Sequence, residues 1–291
     1  MDFLEQIING LSTGSMYALV AVGYTMVYGI AKMINFAHGE IIMVGAYITY
    51  ASMSILGLPM FIAVGLSIIG CALLGVVTER VAYRPLRGAG SLTVLITAIG
   101  VSYLLQNVFL IIFGSASLTF PKIIPSGTIN IGSISMSYVT IATLIITAIS
   151  TTALLFFVNK TKLGKAMRAV SEDGKAAQLM GINVDTTIAL TFAIGSALAA
   201  IAGVIYGTKF SLINPYIGAM LGIKAFIAAV LGGIGSIQGA MVGGIVIGIA
   251  ESFTITYISS AFSDAVVFGI LIFILLVKPA GLFGSNVREK V

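Results

Sequence analysis

The sequence predicts an all-α protein, a polytopic membrane helix bundle of about 8–9 transmembrane segments with broken helices, from three observations. Its 291 residues are 58% hydrophobic and only 9% charged, whereas a soluble domain carries about 25% charged residues. Apolar runs recur at close to the length that crosses a bilayer. Eleven of its fifteen Lys and Arg residues fall in three clusters outside those runs. We expect one membrane domain over residues 1–291, because no polar stretch is long enough to fold separately.

Seven apolar runs come close to the length of about 20 residues that carries a helix across the hydrocarbon core. Two further runs are shorter, and each is either a span or a buried half-helix, since irregular backbone is tolerated where protein covers it. The longer runs lie at 8–30, 38–56, 60–79, 92–113, 138–158, 187–208 and 237–257, and the shorter ones at 221–234 and 263–277.

Basic side chains mark the cytoplasmic side of the predicted bundle. Cytoplasmic loops of membrane proteins carry an excess of Lys and Arg, so we assign all three basic clusters of this chain to the cytoplasm. Counting spans back from the first cluster places the N-terminus outside. Topology thus accounts for the net charge of +5 without a nucleic-acid partner. The clusters are Arg80, Arg84 and Arg87; Lys160, Lys162, Lys165, Arg168 and Lys175; and Lys278, Arg288 and Lys290.

Two connections are long enough to carry structure of their own. The polar stretch 114–137 has Lys122 as its only charge and is expected outside the membrane. The stretch 160–186 is expected in the cytoplasm, and its apolar residues recur at spacings of three and four, which predicts helix. Gly174 and Gly181 are expected to divide it into two short amphipathic helices. Such helices either lie on anionic lipid or dock a cytoplasmic partner.

A faint internal repeat runs through the chain. The stretch 21–39, which ends in INFAHG, resembles the stretch 200–218, which ends in INPYIG, and an offset of 179 residues aligns Asn35 with Asn214. Transporters are commonly built from such repeats, with broken helices that meet inside the membrane. The second copy of the motif contributes three candidate path residues, namely Asn214, Tyr216 and Gly218.

Polar groups interrupt the apolar pattern in the first copy. The sequence INFAHGE, from residue 34 to residue 40, holds the only histidine together with an amide and an acid. An ionisable group in hydrocarbon costs about 2.5–3.5 kcal/mol on insertion scales, so it normally faces a cavity or a partner. Either the segment is an interfacial loop in contact with water, or it is a break in a membrane helix that lines a substrate path. The residues concerned are Asn35, His38, Gly39 and Glu40.

The remaining motifs bear on charge pairing and on catalysis. Glu251 lies inside an apolar run, where it either forms a structural ion pair with Lys224 or takes part in transport. The glycine-rich stretch 231–244 resembles a phosphate loop only superficially, because the sequence contains no G-x-x-x-x-G-K-[ST]. One His, one Cys and few carboxylates form a poor inventory for a metal site or an enzyme. We therefore expect no catalytic residue, metal or cofactor in this chain.

Seven sequence blocks spread over nearly the whole chain carry a family resemblance, and only 114–137 is uninformative. The blocks are GLSTGSMYAL from Gly10, INFAHGEIIMVGAY from Ile34, ERVAYRPLR from Glu79, TAIGVS from Thr97, LGKAMRAVSED from Leu163, INPYIG from Ile213 and AAVLGGIGSIQGAMVGG from Ala228. Together they resemble the permeases of branched-chain amino-acid ABC importers, of the LivH type.

The resemblance implies an importer in the bacterial cytoplasmic (inner) membrane, with ATP and Mg held by partner subunits. The implied partners are a second, related, LivM-like permease as heterodimer, two cytoplasmic ATPases and an extracytoplasmic substrate-binding protein. The stretch 160–186 then resembles the ATPase-coupling segment, although Lys175 stands where the general importer pattern has a glutamate. The coupling residues that this implies are Gly164, Arg168, Glu172, Asp173, Ala176, Ala177 and Gly181.

The expected function is import of leucine, isoleucine or valine. An alternative within the same family is import of urea, short amides or another amino acid. A stand-alone secondary transporter, with His38, Glu40 and Glu251 as a proton relay, is a different class of alternative. The coupling-like stretch 160–186 and the lack of acid–base pairs along one helix argue against that class.

Overall fold

The apolar runs form helices because each backbone N–H and C=O inside a membrane must find a partner within its own segment. The computed structural model describes residues 3–131 and 134–284, over which the chain forms eleven α-helices. They are α1 (Phe3–Ala31), α2 (His38–Tyr50), α3 (Met60–Thr78), α4 (Ser91–Phe113), α5 (Tyr138–Lys160), α6 (Lys162–Glu172), α7 (Gly174–Leu179), α8 (Val184–Phe210), α9 (Ile217–Gly232), α10 (Ile237–Tyr257) and α11 (Ser263–Val277).

Seven helices of the described residues are long and apolar enough to cross a membrane, judged by length and composition. They include every predicted run near spanning length except 38–56. There the α-helix ends at Tyr50, and the chain continues as one wide π-helical turn from Ala51 to Ile55. The shorter run 221–234 lies within α9, which has 16 residues. The predicted number of membrane segments is therefore reached only when the short helices α2 and α9 are included.

The internal repeat is visible in the packing of the helices. α1 to α4 and α8 to α11 form two equivalent halves, in which α1 packs on α10 as α8 packs on α3, and α2 packs on α8 as α9 packs on α1. α1 and α8 run antiparallel, since Lys209 near the end of α8 donates hydrogen bonds to Ser12 and Thr13 near the start of α1. The halves therefore form an inverted repeat, an arrangement common in transporters.

The first helix of each half ends in the same way. Lys32 follows α1 and Ser211 follows α8, with φ angles of 54° and 59°, and they are the described non-glycine residues with positive φ. A left-handed residue closes the last helical turn and redirects the chain. The Lys32 N–H donates to the Tyr28 carbonyl at 2.8 Å, and the Ser211 N–H donates to the Gly207 carbonyl at 2.9 Å. In both halves the chain then leads into a short helix, α2 or α9.

The stretch 114–137 contains short strands that the all-α prediction lacks. Its side chains alternate between polar and apolar near the end, which favours strand over helix. A strand ladder also satisfies backbone groups that no helix takes up. The antiparallel pairs are β1 (Leu118–Thr119) with β4 (Leu212–Ile213), and β2 (Thr128–Ile131) with β3 (Ile134–Ser137).

The two ends of the bundle match the predicted sides. The Ser135 N–H donates to Glu5 Oε1 at 3.1 Å, so the predicted external stretch lies where α1 begins. At the opposite end, Arg84 and Arg87 form ion pairs with Asp185 at the start of α8. The first two basic clusters therefore share one end, as the positive-inside rule predicts. Two members of the third cluster lie outside the described residues, namely Arg288 and Lys290.

Candidate translocation and coupling sites

α2 and α9 cross inside the bundle at glycines. Gly39 in α2 lies so close to Gly218 and Gly222 in α9 that a Cβ built on Gly39 would be 2.8 Å from Gly222 Cα. Side chains essentially never approach a backbone that closely, so the crossing requires residues without a side chain at this position. The structure thus brings together Gly39 and Gly218, which the sequence repeat had aligned.

Three polar side chains beside the crossing are sealed from solvent. Asn35 is 2% exposed, and His38 and Glu40 are each 1% exposed. This burial does not fit an interfacial loop in which the same groups meet water. Buried polar groups normally find hydrogen-bond partners within the protein, so their contacts define what holds this region together.

Asn35 and His38 tie the segment before α2 to neighbouring helices. Asn35 Oδ1 accepts a hydrogen bond of 2.7 Å from the Tyr83 hydroxyl. His38 hydrogen bonds the backbone of Val20 in α1, and its ring lies edge-on to that of Tyr24, with the centroids 5.9 Å apart. Asn35 Nδ2 and His38 Nε2 have no hydrogen-bond partner among the described residues. Each side chain therefore has one polar atom anchored and one left over.

Glu40 lies between the N-termini of two helices. It belongs to the first turn of α2, and a Cβ built on Gly218, in the first turn of α9, would be 2.5 Å from Glu40 Oε2. The positive ends of two helix dipoles stabilise a carboxylate at such a place. The Ser102 hydroxyl of α4 donates to Glu40 Oε1 at 3.1 Å, whereas Oε2 has no hydrogen-bond partner in the part of the chain that the structure describes.

The equivalent residues of the second half have different surroundings. Asn214 Oδ1 accepts the backbone N–H of Tyr216 at 2.9 Å, in a local turn that leads into α9. Asn214 is partly buried and Tyr216 is exposed. The structure therefore places Gly218 at the crossing with Asn35, His38 and Glu40, while Asn214 and Tyr216 lie at its more accessible margin.

Glu251 belongs to a buried ion network away from the crossing. Lys224 Nζ in α9 lies 2.7 Å from Glu251 Oε1 in α10 and 2.8 Å from Asp264 Oδ1 in α11. The Ser263 hydroxyl also donates to Glu251 Oε1, at 3.1 Å. The ion-pair alternative that the sequence raised is therefore the observed geometry. Sequence reasoning missed Asp264 and Ser263, because nothing in the local pattern indicates that α11 packs beside Glu251.

In the predicted coupling segment, α6 is fixed against the end of α5. The Gly164 N–H donates to Thr161 Oγ1 at 3.0 Å, and Gly164 packs so tightly on the backbone of Phe157 and Val158 that a side chain would not fit. Met167 is completely buried on the inner face. The exposed Arg168 and Glu172 share the same helix, so α6 is amphipathic, as predicted.

α7 begins and ends at specific residues. Asp173 caps it, because its Oδ1 accepts the backbone N–H groups of Lys175 at 2.8 Å and Ala176 at 3.0 Å. The break between the two short helices therefore falls at Asp173, one residue before the predicted Gly174. Ala177 is buried. Gly181, at a φ of 84°, closes the end of the segment in a conformation that favours glycine.

Two large apolar side chains project from the end of α7. Leu179 is 89% exposed and Met180 is 83% exposed. They lie at the end of the bundle that carries the basic clusters, where the positive-inside rule places the cytoplasm. Adjacent exposed apolar side chains of this size mark a contact with a protein or with a membrane surface. The spacing of apolar residues in 160–186 predicts helix but does not indicate which of them are exposed, so this tip was not predicted.

An ion clamp joins the end of the coupling segment to α3. Arg84 and Arg87 both pair with Asp185, in the first turn of α8, and Arg87 also pairs with the buried Glu79. The sequence indicated the topological role of these arginines but not the clamp, because Asp185 lies 101 residues from Arg84. The clamp therefore ties the start of α8 to the α3–α4 turn.

These features define the class of protein as a multi-pass membrane permease. They are the inverted halves, the crossing of the short helices α2 and α9, and the pair of short helices α6 and α7 at the basic end. A family model described as branched-chain amino acid transport system / permease component matches residues 6–275. The chain belongs to this family.

Curated relatives agree over the full length. The high-affinity branched-chain amino acid transport system permease proteins BraD of Pseudomonas aeruginosa and LivH of Escherichia coli (strain K12) are each 46% identical, over 99% of this chain and 98% of their own length. The ribose import permease protein RbsC of Haemophilus influenzae is 26% identical over 77% of this chain and 68% of its own length. Among solved structures, PsaBC from Streptococcus pneumoniae in complex with Fab has a TM-score of 0.50 at 15% identity, covering 94% of this chain and 92% of its own, which supports the fold alone.

Proposed function

We propose that this chain forms part of the translocation path of an ATP-driven importer for leucine, isoleucine and valine in a bacterial cytoplasmic membrane. The observation that carries the proposal is the 46% identity, over nearly the full length, to permeases named for branched-chain amino acid transport. A second, LivM-like permease, an extracytoplasmic binding protein and two ATPases that hold ATP and Mg complete the importer.

The exposed tip of α7 supports a docking role for the coupling segment. Leu179 and Met180 would seat in a groove of an ATPase, with the Asp173 cap and the Gly181 turn fixing the shape of the docked helix. Nucleotide-driven closure of the ATPases then moves α7, and the short turn 180–183 passes this motion to α8, which the ion clamp at Asp185 ties to the α3–α4 turn.

Motion of α8 reaches the crossing through close packing. Gly45 of α2 lies so near α8 that a Cβ would be 2.7 Å from Ala200 Cα, and Gly203 of α8 packs against the backbone of Ile42. Because such interiors transmit displacement rather than absorb it, a swing of α8 carries α2 with it. Separation of α2 from α9 would expose Asn35, His38 and Glu40 to a passing zwitterion, with Asn214 and Tyr216 at the margin.

Reconstitution tests the proposal. The chain is placed in proteoliposomes with its LivM-like partner, the two ATPases and the loaded binding protein, and uptake of labelled leucine is followed. We expect uptake that needs ATP inside the vesicle and stops without the binding protein. Uptake by this chain alone, driven by a proton gradient and indifferent to ATP, would instead show a secondary transporter. Uptake of urea or a short amide in preference to leucine would overturn the substrate assignment.

A further inference from the structure

A cavity at the basic end of the bundle has a composition suited to an aliphatic amino acid. Its volume is about 610 Å³, and its walls come from the last two turns of α1, from α6, from the α9–α10 turn and from the segment after α11. Small-molecule sites in proteins typically enclose about 300–1,000 Å³. The cavity is distinct from the crossing, because none of the candidate path residues lines it.

Charges of both signs line this cavity. Its charged side chains are Lys32, Arg168 and Glu172, and none of the three forms an ion pair in the part of the chain that the structure describes. Among the described residues, the Arg168 guanidinium donates to the side chain and the carbonyl of Asn159, each at 3.5 Å. By contrast, Arg84, Arg87 and Lys224 all hold carboxylates. A carboxylate ligand would pair with Lys32 and Arg168, and an ammonium group would pair with Glu172.

The rest of the wall supplies an apolar surface. Met26 and Ile30 of α1 face the cavity together with Val158, Val230, Ile234 and Phe283. Pockets for small ligands combine such a lining with a few charged groups that fix orientation. The charged side chains match the ammonium and carboxylate groups of an amino acid, and the apolar wall matches a branched aliphatic side chain. The lining therefore suits leucine, isoleucine or valine.

The position of the cavity gives its occupant a mechanical effect. Lys32 directly follows α1, whereas Arg168 and Glu172 lie on α6, so a ligand held by all three would join the end of α1 to the coupling segment. A ligand that binds one conformation more tightly shifts the protein toward that conformation. The exposed tip formed by Leu179 and Met180 does not line the cavity, so the proposed docking contact and the cavity use different side chains.

We propose that this cytoplasmic cavity binds the imported aliphatic amino acid and slows further import by holding α6 against α1. The inference rests on the proposed function, because it assumes that α6 moves during ATP-driven transport.

Proteoliposomes of the complete importer test the inference when ATP and unlabelled leucine are enclosed together. We expect millimolar leucine inside to lower both the initial rate of labelled-leucine uptake and the ATP hydrolysis that the loaded binding protein stimulates. 4-Methylvalerate, which is leucine without its ammonium group, and isoamylamine, which is leucine without its carboxylate, should not inhibit. Equal inhibition by either analogue would overturn the zwitterion site.

The variant Lys32→Gln tests whether inhibition by internal leucine arises in this cavity. This variant should retain uptake in vesicles without internal leucine but need about tenfold more internal leucine for half inhibition, as expected when one charged hydrogen bond is lost. Lys160→Gln, a basic neighbour outside the cavity, should behave like the unaltered chain. If uptake by the unaltered importer is normal and indifferent to internal leucine, or if Lys32→Gln is inhibited by the same leucine concentration as the unaltered importer, the cavity has no such role, and the proposed function still stands. A complete absence of ATP-driven uptake in the unaltered importer would overturn both.

Discussion

The two short helices α2 and α9 occupy equivalent places in the inverted repeat but differ in what holds them at one equivalent position. α2 is packed against α8 through Gly45, which meets Ala200 at close range. The residue at the equivalent position of α9 is Lys224, and it is bound to two carboxylates, Glu251 and Asp264. One backbone arrangement therefore supports a contact that depends on shape and a contact that depends on charge.

This difference separates the two helices in mechanical terms. Breaking a buried ion pair by removing one partner costs about 3–5 kcal/mol, because it leaves an uncompensated charge. The polar groups at the start of α2 are held more loosely, since Glu40 has one hydroxyl donor, Ser102, among the described residues. We therefore expect α9 to stay anchored to α10 and α11 while α2 follows α8.

The largest expected effect comes from filling the crossing itself. Gly39→Leu should abolish the folded chain, because the side chain would overlap the backbone of Gly218 and Gly222, neither of which can rotate away. The measurement is the fraction of purified protein that elutes as a single species in size-exclusion chromatography. Gly65→Leu is the matched control, since a Cβ at Gly65 has nothing within 4 Å. Equal recovery of the two variants would show that the crossing is not closely packed.

The next effect tests the charge that anchors α9. Lys224→Met should lower the stability by about 3–5 kcal/mol, measured by thermal unfolding in detergent, because Glu251 and Asp264 are left without their cation. Adding Glu251→Gln should recover part of the loss, since one uncompensated charge is removed. Lys122→Met, in the external stretch, is the control and should be close to neutral. A Lys224→Met protein as stable as this control would remove the distinction between the two helices.

A smaller effect is expected at Asn35 and Asn214, the equivalent asparagines that precede α2 and α9. Asn35→Ala leaves the buried Tyr83 hydroxyl without its acceptor, at a cost of about 1–3 kcal/mol. Asn214→Ala removes one local bond, to the Tyr216 N–H, at a partly accessible site. Both should weaken leucine uptake without uncoupling the ATPases, and Asn35→Ala should weaken it more. Unchanged uptake by both variants would place the path elsewhere.

Much of the fold could be predicted, because a membrane constrains the length and composition of each helix. The predicted run 92–113 became α4 within one residue at its start, and the half-helix alternative anticipated α9. The repeat was readable because both copies keep the INxxxG pattern. The ion clamp at Asp185 was not readable, since it joins residues from distant parts of the chain. The strands of 114–137 were missed because charge and length indicate a loop but not its internal pairing.

For the candidate sites, the sequence indicates which residues are involved better than it indicates the contacts that they make. INFAHGE signalled a polar break, and its burial around Gly39 follows from how α2 and α9 pack. The role of Asp173 as a helix cap could have been read from its place just before a short helical pattern. The exposure of Leu179 could not, because exposure depends on which face of α7 meets α8.

The role of the segment 160–186 in coupling to the ATPases is tested most directly by leucine uptake through a reconstituted importer that carries Gly181→Trp. Because Gly181 has a φ of 84°, tryptophan should distort the turn that ends the docking segment, whereas Gly181→Asn should be tolerated in this conformation. We expect the Gly181→Trp permease to insert and to assemble with the proposed second permease but to show no ATP-driven uptake, whereas the Gly181→Asn permease should retain uptake. Normal ATP-driven uptake by Gly181→Trp would show that this segment does not dock on the ATPases.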